Sequence, residues 1–528
     1  MAQRLSALDA TFLNFESAQQ PLHIGGLYIY EDQPEIPGRP GVRGLFNTVE
    51  DRLHLVPRYR QRMQEVPLAL GHPVWVDDPD FDLTYHLRRL ALPRPGGMGE
   101  LLEVVARLHS RALDRSRPLW EMYILEGLAE GRVAIYSKIH HAMVDGIAAV
   151  DLALALHDLD PQGATVTPGE PFRPRGLRRP QELVGDVARE AAGAALGAAG
   201  RLLRRPTEAP RELASRARTA TRLRELANML RPVPSGPLNV KVGSGRRIEL
   251  ASVSLARVKT IKNALGATVN DVALAAVGEA LHGFLVHRGE DVPDDLTYRI
   301  MVPVSVRNDS DKAPGNKVSA MFIDMPVGRM PARRRMQIVM HDMGGLKDHR
   351  QAAAAGQLLG LASMAPASLH ALAGHTALSG QRFLNMVFSN VPGVQEPVYA
   401  GGSRLLEAYP LLPVVANLSV VICVASYNGG MYFGVVGDYA GFPDLGVITS
   451  GIEDGIESLE RAAGLRPPKR VARAAARPVR ARHRVIQKAR GRGPSTASSL
   501  ASVRDAAREA AATAAAASRR PRGSRPLG

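Results

Sequence analysis

The apolar positions change period several times along the chain, and each change predicts an element. "HIGGLYIYE" (23–31) and "GRVAIYSKIH" (131–140) have strand composition. In the second, Val133, Ile135, Ser137 and Ile139 fall on one side and Ala134, Tyr136 and Lys138 on the other. Between them "MGELLEVVARLHSRALD" has helical spacing, with Leu101, Val104, Val105 and Leu108 on one face. The loop "GEPFRPRGLRRP" leads into a helical pattern over 181–205, with Val184, Val187, Ala188, Ala191, Ala195, Ala198 and Leu202 on one stripe. Pro206 and Pro210 stop it, and a second basic helical pattern covers 211–230. Beyond Arg246, strands are predicted at 247–255, 298–306, 318–327, 383–393, 418–427 and 430–438, with one long, mostly buried helix over 267–289. The fold class is therefore α/β, with two bodies of mixed strand and helix joined by a long helical crossover. The expected boundaries are 1–165 for the first body, 166–245 for a basic helical connector and 246–465 for the second body, with a tail over 466–528.

Composition supports this layout: 45% hydrophobic and 22% charged residues are the balance of a globular protein. The net charge of +16 is localised. The segment 466–528 holds 17 Lys/Arg against 2 Asp/Glu, and 171–235 holds 14 Arg against 6 acids, so the bodies themselves are net acidic. Such basic segments favour anionic surfaces, and an anionic membrane or lipid-droplet surface is expected, with no specific nucleic acid. The Ala/Arg/Pro-rich tail is expected to be disordered. The basic helical pair is either a crossover packed on the body or an element lying on a membrane surface. Cys423, the single cysteine, excludes an internal disulfide framework and a multi-cysteine metal site, and fits a reducing compartment. The N-terminus has no signal-peptide pattern, and no run of roughly 20 uninterrupted apolar residues predicts a spanning helix. "LLPVVANLSVVICVASY" reads instead as a buried strand.

The chemistry concentrates in "KIHHAMVDGIAAV" (138–150), where a strand runs into a helix starting near Gly146. Adjacent strand residues point to opposite faces, so His140 and His141 are ill placed to share one metal ion, and no metal is expected. One imidazole facing a cavity would serve as a general base near neutral pH, while the other holds the turn. Asp145 can brace that turn, and Gly146 permits a backbone path that a Cβ would obstruct. On their own, two adjacent histidines are better read as a surface-loop pair beside a helix N-terminus with an acidic first turn. Absent from the chain are a G-x-S-x-G elbow, a Walker A loop and a G-x-G-x-x-G fingerprint after a strand.

The full string H-H-x-x-x-D-G resembles the signature of the CoA-dependent acyltransferase superfamily. Further blocks, in order over roughly 1–465, resemble its bacterial wax ester synthase/acyl-CoA:diacylglycerol acyltransferase branch. These are the opening "LSALDATFLNFESAQQPLHIGGL" with Asp9 and Phe12, then Pro118, Leu119 and Trp120, then Asn270 and Asp271. Gly315 and Asn316 follow, and the loop Ser389, Asn390 to Gly393 completes the set; Val394 stands where members often have a second proline. The resemblance implies two similar mixed-sheet domains with a channel between them. It also implies an O-acyltransferase that takes fatty acyl-CoA as donor and diacylglycerol or a long-chain alcohol as acceptor, with no cofactor. By the same resemblance, His141 would be the general base, and His140 and Asp145 would hold the loop. Asn270 and Asp271 would support the channel from the second domain. Read from the residues alone, Asn270 is a helix N-cap with Asp271 in the first turn, and Trp120 is core packing between the domains. The expected location is the cytoplasm, peripheral on the inner membrane or lipid droplets. Two alternatives stay open: acylation of another hydroxyl or an amine, and a non-catalytic lipid-binding protein.

Overall fold

Two six-stranded sheets organise the computed structural model, which describes residues 3–143, 156–163, 169–203, 231–233, 236–305, 318–346 and 383–466. The expected strands form: β1 is His23–Glu31, and between Gln61–Gln64 (β2) and Val74–Asp77 (β3) lies a two-stranded ribbon. Leu87–Ala91 (β4), Trp120–Leu128 (β5) and Arg132–His140 (β6) follow. Downstream come Arg246–Ser254 (β7), Thr297–Ser305 (β8), Val318–Pro326 (β9), Met386–Val391 (β10), Tyr399–Ala400 (β11), Ser403–Leu411 (β12), Val420–Tyr427 (β13) and Gly430–Asp438 (β14). The helices used below are Ala7–Phe15 (α1), Leu45–Arg52 (α2), Met98–His109 (α3), Pro180–Leu203 (α4), Leu255–Leu265 (α5), Val269–His287 (α6), Ala332–Leu346 (α7) and Gly446–Ala462 (α8).

The first sheet runs β11-β12-β1-β6-β5-β4 and the second β7-β14-β13-β10-β8-β9. Sequence order alone does not partition them. β11 and β12 come from the second half of the chain, yet β12 pairs antiparallel with β1, with Leu27 opposite Tyr409. A body bounded at 246–465 thus lends two strands to the first sheet. Met1–Pro467 forms one compact unit.

β12 also joins the sheets. A shared core contains Leu27 and Ile29 of β1, Tyr136 of β6 and Leu411 of β12, together with Ile248, Val421 and Val436 of the second sheet. Gly434 in β14 sits under this crossing strand. A Cβ there would run into the Pro410 carbonyl and lie 2.9 Å from Leu411 Cδ2. The far face of the second sheet is covered by α6 and α8, with Phe284, Leu281, Ile452 and Ile456 fully buried. α6 has the length and apolar content of a membrane span, but 67% of that window is buried in this core. Of the apolar run 411–427, read as one buried strand, only Val420–Tyr427 forms β13, in the middle of the second sheet; Leu411 ends β12 of the first sheet, and a non-strand connection lies between.

Two local readings are corrected. The N-cap of α6 is Thr268, not Asn270: Thr268 Oγ1 accepts from Asp271 N–H (3.2 Å), and Asp271 Oδ2 accepts from Thr268 N–H (2.8 Å). That reciprocal capping box satisfies two otherwise orphaned donors and sets the helix start two residues earlier. On α4 the buried seam is rotated by one residue. Leu183 is buried and Val187 packs beside it against Val66, Val74 and Val76, whereas Ala188 is exposed. The second basic pattern (211–230) and the tail lie outside the described residues.

Candidate active site

β6 ends at His140, and His141–Met143 forms a single 3₁₀ turn. Strands on either side hold this end. His23 of β1 lies opposite His140, and Trp120 of β5 lies opposite Ile139. His140 N–H donates to the Leu119 carbonyl and His141 N–H to the Leu22 carbonyl, each at 2.9 Å. The Pro118–Leu119–Trp120 block therefore acts on the histidines through the Leu119 backbone. Trp120 itself is buried inside the first body rather than between the two. Its Nε1–H donates to the Tyr59 carbonyl (2.9 Å), and its ring stacks on His86 at 4.6 Å.

α1 reaches both imidazoles. Its start is capped by Ser6, whose Oγ accepts from Asp9 N–H at 3.1 Å. Phe12 stacks on His141 with centroids 3.9 Å apart and planes at 19°. Four residues later, in the C-cap position of α1, Glu16 places Oε1 3.5 Å from His140 Nε2. The same carboxylate accepts from Leu22 N–H (3.1 Å) and from both Nε and Nη2 of Arg115 (3.0 and 2.8 Å). Burial alone would raise the Glu16 pKa. The His140 ring, the Leu22 N–H and the Arg115 guanidinium outweigh that and hold it at about 2. His140 Nδ1 accepts from Ala142 N–H at 3.0 Å, which puts the ring proton on Nε2, facing Glu16. The Nε2 contact is an ion-pair distance without good hydrogen-bond alignment. His140 is fully buried, with Nδ1 bonded to the turn backbone and Nε2 facing the Glu16 carboxylate.

His141 is arranged differently. It keeps partial exposure, while its Nδ1 is buried without a well-formed hydrogen bond. Desolvation pushes its pKa down from 6.5 to about 4; its own backbone carbonyl pulls the other way, and the neighbouring His140 adds to the lowering. Nδ1 is the walled-in nitrogen, so Nε2 is the one an acceptor could reach, and with the ring proton on Nδ1 it would offer a free lone pair. A neutral imidazole with one accessible lone pair, stacked on an aromatic ring, is the form a general base needs.

The interior behind the pair is also set against extra positive charge. Burial keeps His23 well below the ordinary imidazole range and His109 at about 3. Lys138, two residues before His140, is buried and pairs with Glu121 at 3.0 Å.

The second sheet assembles another group of the candidate residues. Asn390 Nδ2 at the end of β10 donates to Asn270 Oδ1 in the first turn of α6 (3.1 Å). Two motif residues 120 positions apart are thus brought into one cluster. Ser389 lies opposite Cys423, whose thiol is pushed up to about 12 by burial and is therefore inert. Asp271 is committed to the capping box. Asp145, Gly146, Gly315 and Asn316 lie outside the described residues. Among the described residues no group of three or more His, Cys, Asp or Glu is arranged to hold a metal ion.

Glu16 and Arg115 were not singled out from sequence. They are 99 positions apart, so no spacing rule links them. The available signal was one carboxylate four residues after Phe12, at the end of a short apolar helix.

Comparison with known proteins identifies the family. Residues 5–273 match the wax ester synthase/diacylglycerol acyltransferase catalytic domain, and residues 314–460 match the C-terminal domain of the same family. A putative diacylglycerol O-acyltransferase of Mycobacterium tuberculosis is 36% identical over 475 residues, covering 87% of this chain and all of that protein. The solved wax ester synthase/diacylglycerol acyltransferase of Marinobacter aquaeolei superposes with a TM-score of 0.64 at 28% identity, over 88% of this chain and all of that one. The starter condensation domain of rhizomide synthetase shares the fold, with a TM-score of 0.51 at 16% identity over 88% of this chain and 94% of its own. This chain belongs to the wax ester synthase/diacylglycerol acyltransferase family.

Proposed function

We propose that this protein transfers a fatty acyl group from acyl-CoA to a lipid hydroxyl, with diacylglycerol as the main acceptor and long-chain alcohols as the second. The observation that carries the reading is His141. It is a neutral imidazole held by its backbone bond to the Leu22 carbonyl and by stacking on Phe12, in a chain that matches both domains of the family. In the reaction, Nε2 takes the acceptor O–H proton as the oxygen attacks the thioester carbonyl carbon. The tetrahedral intermediate collapses with cleavage of the C–S bond, and the imidazolium returns the proton to the departing thiolate. The products are an ester and CoA thiol. The reaction needs no further co-reactant. A positioned base of this kind typically contributes about 10²–10⁴-fold.

His140, Glu16 and Arg115 act by fixing the turn. Asp145 and Gly146 complete the motif on the basis of the family resemblance, as Gly315 and Asn316 do for the second domain. Diacylglycerol is ranked first because relatives at 34–36% identity bear diacylglycerol O-acyltransferase names. The alcohol reading rests on the Marinobacter protein's double name. Peripheral attachment at the cytoplasmic face of the membrane or on lipid droplets is part of the proposal, supported by the basic connector and tail.

The test is product analysis with labelled palmitoyl-CoA and, in parallel, dipalmitoylglycerol, hexadecanol and hexadecylamine. Triacylglycerol as the major product is expected, with a smaller yield of wax ester. Amide in excess of ester, or no product from any acceptor, would overturn the assignment.

A further inference from the structure

The ribbon β2–β3 carries an apolar tip that serves nothing inside the protein. Between the strands, Pro67–Ala69 forms a tight turn in which Leu68 and Ala69 both adopt positive φ (57° and 52°). Side chains disfavour this region, and leucine has no polar group to compensate. The turn nonetheless directs Leu68 into solvent at 89% exposure, and Leu70 beside it is 50% exposed. Leu68 is the most exposed large apolar residue among the described residues.

The base below the tip is rigid. Val66, Val74 and Val76 pack on Leu183 and Val187 of α4. Arg4 Nη1 donates to the His72 carbonyl (2.8 Å), and a Cβ on Gly71 would lie 2.8 Å from Val187. The leucines are therefore presented on a braced support rather than on a loose strand.

Two further apolar groups belong to the same support. Leu177, 50% exposed, precedes Arg178, whose backbone bonds Gln64 in both directions (3.0 and 2.7 Å). Leu196 of α4 is 75% exposed. The surrounding charge is mainly positive, with Glu65 and Glu170 the exposed acids near the tip. Arg173, Arg175 and Arg179 are exposed on the segment entering α4. The acids of the first turns of α4 are neutralised internally: Asp186 pairs with Arg178 and Arg189, Glu182 with Arg178, and Glu190 with Arg4. Overall, 171–235 carries 14 Arg against 6 acids.

We propose that the Leu68–Leu70 tip, with Leu177 and the arginines entering α4, is the docking surface by which this protein sits on an anionic lipid layer. Apolar tips inserted among acyl chains with cations at the headgroup level are the combination that holds interfacial elements on membranes. This rests on the acyltransferase reading, because its acceptor is dissolved in lipid and is met at that surface.

The experiment uses the full chain and vesicles of phosphatidylcholine, with and without phosphatidylglycerol. Leu68→Trp supplies a local probe, since the native Trp75 and Trp120 are buried. Quenching of its fluorescence by lipids brominated on the acyl chain is expected, stronger with phosphatidylglycerol present. Leu68→Ser/Leu70→Ser should lower vesicle partitioning by at least about tenfold. Neutralising Arg173, Arg175 and Arg179 to Gln should remove most of the phosphatidylglycerol dependence. The serine variant should keep its rate on a short-chain acceptor in detergent micelles while losing rate on vesicle-borne diacylglycerol. An unquenched probe on protein that still co-sediments would overturn the proposal, as binding would then come from the basic connector or tail. A serine variant that changes oligomeric state but not partitioning would also overturn it, making the tip a contact between copies. Absence of ester from every acceptor would refute the acyltransferase reading alone, because partitioning and quenching are read without turnover.

Discussion

Replacing Glu16 by Gln isolates the charge beneath the paired histidines with little change of shape. The native carboxylate titrates at about 2 instead of 4.5, and its side chain is 6% exposed. At about 1.36 kcal/mol per unit, the gap corresponds to about 3 kcal/mol of stability. This is an upper bound, because the amide oxygen of Gln can still accept from Leu22 N–H. The sign follows from the depressed folded-state value. The stabilisation is complete above the unfolded value of 4.5 and is lost as pH falls towards about 2. Urea unfolding of wild type and Glu16→Gln at pH 7 should therefore differ by about 2–3 kcal/mol, and the difference should shrink as pH drops below 4.5. Because Glu16 faces His140 and not the open nitrogen of His141, kcat should fall more than KM changes, with partial recovery in Glu16→Asp. Equal stability at pH 7, or a difference independent of pH, would refute the assignment of Glu16 as the charged brace.

Two other outcomes follow from the geometry. The pH profile of kcat/KM should stay level through 6.5, the ordinary imidazole value, and fall only towards about 4, where His141 becomes protonated and can no longer accept a proton; a midpoint near 6.5 in steady-state assays would contradict the desolvated environment. Gly434→Ala should destabilise the fold by about 3 kcal/mol in denaturant titrations, because the added methyl meets the Pro410 carbonyl where β12 crosses the second sheet; an unchanged midpoint would show that the sheets separate freely there.

The local periodicities were legible. β1 spans its expected residues, and β6, α3 and α6 fall within the segments predicted for them, because each carries a continuous apolar pattern, which β6 buries on both faces and α6 on most of its circumference. Long-range assembly was not. That Tyr399–Leu411 joins the first sheet depends on pairing between residues such as Leu27 and Tyr409, which no local pattern encodes. The start of α6 was misplaced because Asn270 is an adequate cap in isolation, while Thr268 forms the reciprocal box with Asp271. The seam of α4 was misjudged by one residue because alanines contribute little to an apolar stripe, so Leu183 decides which face is buried. At the site, the motif located the histidines, but their division of labour came from atoms. An Ala142 N–H bonded to Nδ1 of His140 and an open Nε2 on His141 separate the brace from the base. Glu16 and Arg115 meet only once α1 and the segment after α3 are folded together.

The central claim is that His141, and not His140, carries the proton. The most direct measurement is single-turnover transfer from labelled palmitoyl-CoA to dipalmitoylglycerol by wild type, His141→Gln and His140→Gln, with unfolding midpoints recorded for each. His141→Gln should fold normally and lose at least about 10²-fold in the chemical step. His140→Gln should lose stability together with rate. Ester formation by His141→Gln at the wild-type rate would contradict that claim.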